Sequence, residues 1–479
     1  MASGELIAMT AVEAVRRLKA REISPSDLVE AALARAAEVE PAVNAMPTLC
    51  AERARQHAQR IEREAPAQGP GWLGGLPIAV KDLTPVAGVR TSWGSPIYAD
   101  HVPDRSDLMV ERVEARGAVV LGKSNTPEFG AGANTFNPVF GQTLNPWDTR
   151  LSCAGSSGGS AVALATGEVW LATGSDLGGS LRTPASFCSV VGLRTSPGRV
   201  PSGPRELPFD RLSVEGPMGR TVADVALLLD AMAGQHASDP LSYPAPAESY
   251  SSAVERRSRP RRVAFSPDLG ITPVDAEVRT IAASAAVRFA ELGAQVAEDC
   301  PDLSEAPETF HVLRAAAYVA GMEPLYRAKR DLLKEEIVWN IEQGLALAPT
   351  RIGEAEWARG RIFKGMRDFF TRYDLLLCPA ACTPPFDVNR RYVTEVAGQN
   401  FETYIDWLRL ASAITLTSCP ALSLPFGFTE AGLPVGLQIV GPPRGEAELL
   451  SAAAALEEVL GLARLTPIAP RRGGEPVRS

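Results

Sequence analysis

LSCAGSSGGSAVALATGEVWLATGSDLGGSLRTPA, residues Leu151 to Ala185, holds two glycine-serine clusters separated by a short apolar run. Glycine-serine text is usually a flexible linker or turn. A linker would not enclose AVALATGEVWLATG, which is apolar and compact, so the clusters are read as tight turns between buried elements. Ser156 lies in the first cluster and Ser180 in the second. Upstream, GLPIAVKD ends a strand-like run from Leu76 to Val80 at Lys81, and Asp82-Leu83 turns the chain out of it. Two hydroxyls and one amine, without a histidine, are the parts of a single proton relay.

A hydroxyl attacks a carbonyl only when a base takes its proton, and the base needs a pKa near the working pH. A free lysine, at ~10.4, fails that test. Burial lowers it, because desolvation penalises the ammonium form, and the run Pro77 to Val80 would deliver Lys81 into a core. Taken alone, a lysine ending a strand is a solvated charge more often than a base. Leu177, Gly178, Gly179 and Ser180 add a row of consecutive N–H groups that the small residues among them leave open to a developing oxyanion. The constellation outweighs its parts.

GLPIAVKD, AGSSGGSAVALATGE and GSDLGGSLRTPASFCSVVGLRTSPGRVP resemble the amidase signature family of Ser-cisSer-Lys amide hydrolases. The likeness continues through MVERVEARGAVVLGKSNTPEF from Met109, NPWD at Asn145 to Asp148, GPMGRTVADVALLLDAMAG from Gly216, and PALSLPFGFTEAGLPVGLQIVGPP from Pro420. By motif position the resemblance implies Ser180 as nucleophile, Ser156 as bridging serine after a cis Gly155–Ser156 bond, Lys81 as base, and Asp176 and Arg182 as braces of the nucleophile loop. It also implies hydrolysis of a carboxylic amide, or of an ester or carbamate, without a cofactor. Ala154 stands where the family commonly has glycine, a small change from which little effect is expected.

Four other readings compete. Gly117 to Ser124 fits the phosphate-loop pattern letter for letter, but Ala118 to Leu121 reads as a strand where the cradle needs a loop, and Thr126-Pro127 breaks the helix that should follow. Gly155 to Gly159 fits G-x-S-x-G with Ser157 as nucleophile. That mechanism needs a later histidine, and of His57, His101, His236 and His311 the last two read as a loop and a helix position without catalytic context. The third is the subunit of a glutamine-dependent amidotransferase acting on mischarged transfer RNA, which resembles the same family and works in a complex. Its FASSLDQ-like stretch is not found here, where PFDRLSVEG runs from Pro208. A catalytically dead scaffold is disfavoured by the presence of all three triad residues.

With 479 residues, 45% of them hydrophobic, and a net charge of -8, the composition is that of a globular protein. No basic stripe suggests nucleic acid, and no run approaches the ~18 apolar residues of a membrane span. The N-terminus lacks a secretory pattern, and seven cysteines without paired spacing suggest reduced thiols and a cytoplasmic protein. Cys378 and Cys382 lack a second pair, so no metal site is expected. The expected partners are a small-molecule substrate and at most a second copy of the chain, as monomer or homodimer.

Alternating strand-like and helical runs from Gly75 to Gly234 indicate an α/β sandwich with a central mixed β-sheet, covered by helices on both faces. The chain reads as one domain: a helical layer over 1–70, a catalytic core over 71–235, a variable pocket region over 236–400, and a return to the core over 401–479. Helices are expected at Thr10 to Ala20, Pro25 to Val39 with Ser24 as N-cap, Ala51 to Glu64, Glu277 to Leu292, Ala315 to Glu342 and Arg359 to Tyr373. A strand is expected at VAFSPDL, and Pro240 to Arg262 reads as a loop. Candidate pocket residues are Gly130, Ala131, Gly132 and Asn134 of EFGAGANTF, with Tyr318, Met322, Trp339 and Phe386. Such aromatics and methionines at helical spacing are more often core.

Overall fold

The computed structural model describes residues 2–64 and 68–473. Its centre is an eleven-stranded sheet. In chain order the strands are β1 (Thr48–Leu49), β2 (Pro77–Lys81), β3 (Val119–Ser124), β4 (Leu171–Asp176), β5 (Val191–Arg194), β6 (Val214–Gly219), β7 (Arg262–Phe265), β8 (Gln295–Glu298), β9 (Leu375–Pro379), β10 (Ala421–Phe428) and β11 (Pro434–Val440). Their spatial order is β1-β3-β2-β4-β6-β5-β10-β11-β9-β7-β8. β2 runs parallel to both β3 and β4, while β6 lies antiparallel to β4, so the sheet is mixed. Every residue of β2, β3, β4, β5, β6, β9 and β11 is buried, as expected of strands covered by helices on both faces.

Three short helices suffice to place the site. Gly158–Thr166 follows the first serine cluster and is buried along its whole length, and Arg182–Cys188 does the same after the second. Val222–Met232 starts behind Thr221, whose side chain accepts from the Asp224 N–H. In the N-terminal layer, Ser24 caps Pro25–Val43 by accepting from the Asp27 N–H, and the Asp27 carboxylate answers the Ser24 N–H at 2.8 Å. Ala51–Glu64 turns Ala54, His57, Ala58 and Ile61 inward.

The middle region departs from expectation in three places. The loop expected over Pro240 to Arg262 contains a helix, Tyr250–Arg256, capped by Ser249. The helix expected from Arg359 starts earlier, as Pro349–Phe369, with proline in its first turn where the missing N–H costs nothing. The stretch Ala315 to Glu342 is two helices, Ala306–Lys329 and Glu335–Leu345, separated by a 3-10 turn at Arg330–Leu332. The cause of that break is tertiary: the Lys334 N–H donates to the Glu128 carboxylate at 2.7 Å, and Leu333, Ile337 and Ile341 fold back to bury against Tyr318.

Candidate active site

β2 delivers Lys81 into the core, its side chain fully buried. The amine nitrogen lies 2.6 Å from Ser156 Oγ, 2.9 Å from Ser157 Oγ, 3.0 Å from Ser175 Oγ and 3.4 Å from the Ser175 carbonyl. Ser157 Oγ in turn donates to that carbonyl at 3.3 Å. Burial pushes the Lys81 amine down to about 7, against the opposing pull of the Glu215 and Asp176 charges. Glu215 stands directly across from Ser175 in the β6–β4 pairing, which brings its carboxylate toward the amine. Burial lifts that carboxyl to about 7, although Arg205 donates to it at 3.0 Å.

The peptide bond between Gly155 and Ser156 is cis. Ser156 is buried, whereas Ser180 is half-exposed and its hydroxyl bonds to none of the described residues. The two serine loops are joined through the backbone, the Ser157 N–H donating to the Ser180 carbonyl at 3.1 Å. Ala154 adopts φ +58, a left-handed conformation that the sequence does not reveal. For a side-chain-bearing residue this costs about 1–2 kcal/mol, so replacing glycine here is less neutral than its size suggests.

Asp176, at the end of β4, braces the nucleophile loop. It accepts from the Gly179 N–H at 2.9 Å, the Leu181 N–H at 3.1 Å, and two Arg182 nitrogens at 3.0 and 2.8 Å. Burial by itself would raise this carboxyl, but the charge and hydrogen bonds of Arg182, joined by Arg194, hold it well below the usual carboxylate range. Arg182 extends the brace to the Ala411 carbonyl at 2.9 Å and Gln438 at 2.5 Å. Asp176→Asn leaves two buried guanidinium groups without their counter-charge. Chemical denaturation should show a loss of about 3–5 kcal/mol, and a loss under 1 kcal/mol would refute the bracing role.

The Gly179 N–H is thus already engaged, while those of Leu177, Gly178 and Ser180 meet no acceptor among the described residues. Gly179 itself has φ +116, and a Cβ there would sit 2.6 Å from the Ala411 methyl. Only glycine fits. Opposite this row, Gly130 borders the serines: a Cβ on it would lie 3.4 Å from Ser156 Oγ.

The remaining pocket candidates divide. Ala131 is buried and its carbonyl accepts from the Lys334 amine at 3.3 Å; a Cβ on Gly132 would meet the same amine at 2.9 Å. The Asn134 oxygen accepts from Ser152 at 2.6 Å and its amide donates to the Arg390 carbonyl at 2.9 Å. Its side chain thereby ties loops together. Phe386 is a core residue edge-on to Phe187 and Trp407. Met322 packs between the two helices of the middle region, Tyr318 is buried beside it, and Trp339 packs edge-on against His311 and Tyr404.

The competing motifs fall on structural grounds. Lys123 and Ser124 lie inside β3, and the Lys123 amine is held by Asp82 at 3.3 Å, the Thr84 carbonyl and Thr91, leaving no phosphate cradle. Ser157 is fully buried with its hydrogen donated to Ser175. None of the four histidines bonds to Ser156, Ser157 or Ser180 among the described residues.

Sequence reasoning missed Ser157 and Ser175 as partners of the lysine, and Glu215, Arg194 and Phe310 altogether. Ser175 was within reach, since strand alternation puts it on one face with Thr173. Glu215 and Phe310 depend on register and on a distant helix, for which no local signal exists.

A family model described as Amidase matches residues 27–450. The chain is 34% identical over 458 residues to an acylamidase of Rhodococcus erythropolis, covering 94% of this chain and 95% of that one. It is 35% identical over 485 residues to a glutamyl-tRNA(Gln) amidotransferase subunit of Moorella thermoacetica, covering 95% and 97%. A crystallised bacterial aryl acylamidase superposes with a TM-score of 0.87 at 27% identity, covering 96% of this chain and 99% of that one. With the family matched over nearly its whole length, the mixed sheet of its fold and the lysine-serine cluster at its centre, this chain belongs to the amidase signature family and is an amide C–N hydrolase.

Proposed function

We propose that the chain cleaves a small-molecule carboxylic amide through an acyl-enzyme on Ser180, with Ser156 relaying protons to a neutral Lys81. The observation that carries this reading is the 2.6 Å contact between the buried Lys81 amine and Ser156 Oγ. A neutral amine has two hydrogens and one lone pair. Ser157 donates its own hydrogen to the Ser175 carbonyl, so it receives one from Lys81, and Ser175 receives the other. The lone pair is left for the Ser156 hydroxyl.

In the forward step Ser180 Oγ bonds to the substrate carbonyl carbon while its proton passes to Ser156 and the Ser156 proton to Lys81. The Leu177, Gly178 and Ser180 N–H groups are the donors for the resulting oxyanion. Ser156 then protonates the leaving amine and recovers a proton from Lys81, and water repeats the sequence on the ester. The Ser180–Ser156 contact closes when substrate orders the site, as catalytic hydrogen bonds do in other resting enzymes.

A stand-alone hydrolase is favoured over an amidotransferase component, although 35% identity to such a component keeps the second reading in view. PFDRLSVEG after the nucleophile loop supports the hydrolase. Turnover of p-nitroanilides, nitrophenyl esters and aryl carbamates by the purified chain is the deciding assay, and activity only with copurified partners would reverse the choice. Ser156→Ala should lower the rate by about 10²–10⁴, the worth of a positioned acid-base group. A smaller loss would remove the relay.

A further inference from the structure

Arg314, in the helix Ala306–Lys329, is 6% exposed and has no carboxylate within ion-pairing distance among the described residues. Its Nε donates to Asn340 at 3.0 Å, and one terminal nitrogen donates to the phenols of Tyr318 at 3.2 Å and Tyr404 at 2.7 Å. The other terminal nitrogen, Nη1, makes no hydrogen bond among the described residues, and the guanidinium lies over the Tyr318 ring at 4.8 Å. Both phenols act as acceptors here, Tyr404 from Asn340 as well, so their own hydrogens remain unspent. Burial pushes the Tyr318 phenol up to about 12, so it stays an O–H donor. The nearby Glu336 carboxylate does not balance the guanidinium, being shared by Arg391 at 2.8 Å and Lys334 at 3.6 Å.

A buried cation whose hydrogen-bond acceptors are all neutral, beside two phenols with unspent hydrogens, matches the needs of a carboxylate. Its position ties it to the catalytic residues. Phe310, Arg314 and Tyr318 follow one another at four-residue intervals on one helix face. At one end the Phe310 ring comes within 3.0 Å of where a Gly178 Cβ would be, in the oxyanion row. At the other, Tyr318 packs with Ala131, next to the Gly130 that borders Ser156. Arg314 therefore sits one helical turn, ~5.4 Å along the axis, from Phe310, the residue whose ring reaches the row of donors.

Building on the amidase reading, we infer that Arg314, with the Tyr318 and Tyr404 hydroxyls, binds a carboxylate of the substrate several bonds from the scissile carbonyl. Two arms locate that carboxylate. For the acyl side, adipic acid mono-p-nitroanilide is compared with its methyl ester. For the amine side, 6-(hexanoylamino)hexanoate is compared with its N-methylamide.

In at least one arm the carboxylate should raise kcat/KM by about 10- to 100-fold, the worth of hydrogen bonds to a charged group, mainly through KM. Within Arg314→Gln that ratio should fall to about 1, and Arg314→Lys should retain part of it. Should Arg314→Gln fail to fold, Tyr404→Phe removes only a hydroxyl and should still reduce the ratio. Adipate binding by calorimetry gives a readout independent of turnover, expected at least about tenfold weaker in the variant. Wild-type ratios at or below 1 in both arms, or adipate affinity equal in wild type and variant, overturn the inference. Absence of turnover on every substrate, with adipate still bound through Arg314, would instead overturn the amidase mechanism and leave the carboxylate site standing.

Discussion

Ser180→Ala is expected to lower amide turnover by about 10⁴- to 10⁶-fold, the scale seen when the nucleophile of an acyl-transfer relay is removed. The wild-type protein should be labelled on Ser180 by a fluorophosphonate, and the variant should not. Folding should be unaffected, because the Ser180 hydroxyl is half-exposed and makes no hydrogen bond among the described residues. Peptide mass spectrometry locates the adduct. A label on Ser157 would demand a different mechanism, although its hydroxyl is fully buried and already donates to the Ser175 carbonyl. Residual activity above about 1% of wild type would dismiss Ser180 as nucleophile.

Lys81→Met should abolish both turnover and labelling, since it keeps the length of the side chain and removes the one base in contact with Ser156 among the described residues. The pH profile gives the complementary test. The buried amine titrates at about 7, and its working form is neutral. Below that value the ammonium form predominates and has no lone pair for the Ser156 proton; above it the amine is free. Activity should therefore rise through neutral pH and hold in mildly alkaline buffer, with log kcat/KM falling by about one unit per pH unit on the acid side. Lys81→Arg should be as inactive as Lys81→Met, because a guanidinium stays protonated. Substantial activity in Lys81→Arg, with a flat profile near neutrality, would make the residue a fixed cation and discard the neutral base.

The expectations that held rest on short-range physics. Ser24, Pro25 and Asp27 announce a helix start because a capping oxygen, a fixed φ and an acid near the N–H ends are all local requirements. The strand ending at Lys81 was legible for the same reason, in its apolar run and the turn after it. The long helix expected over Ala315 to Glu342 failed because its break needed a distant partner. Nothing between Leu325 and Glu335 breaks a helix by propensity, and the chain turns there because a carboxylate more than two hundred positions upstream takes the Lys334 N–H.

By itself the sequence determined the α/β character, the two serine turns, the lysine that ends a buried strand, and through these the resemblance to a family of amide hydrolases. Backbone preference and the period of apolar residues act within a few residues, so letters record them. The tertiary structure decided what surrounds the amine and what faces the substrate. Strand register set Glu215 across from Ser175, the fold brought Ser156 against Lys81, and a helix from the far side brought Phe310 to Gly178. Desolvation and charge depend on distance through space, and only the closed fold fixes those distances.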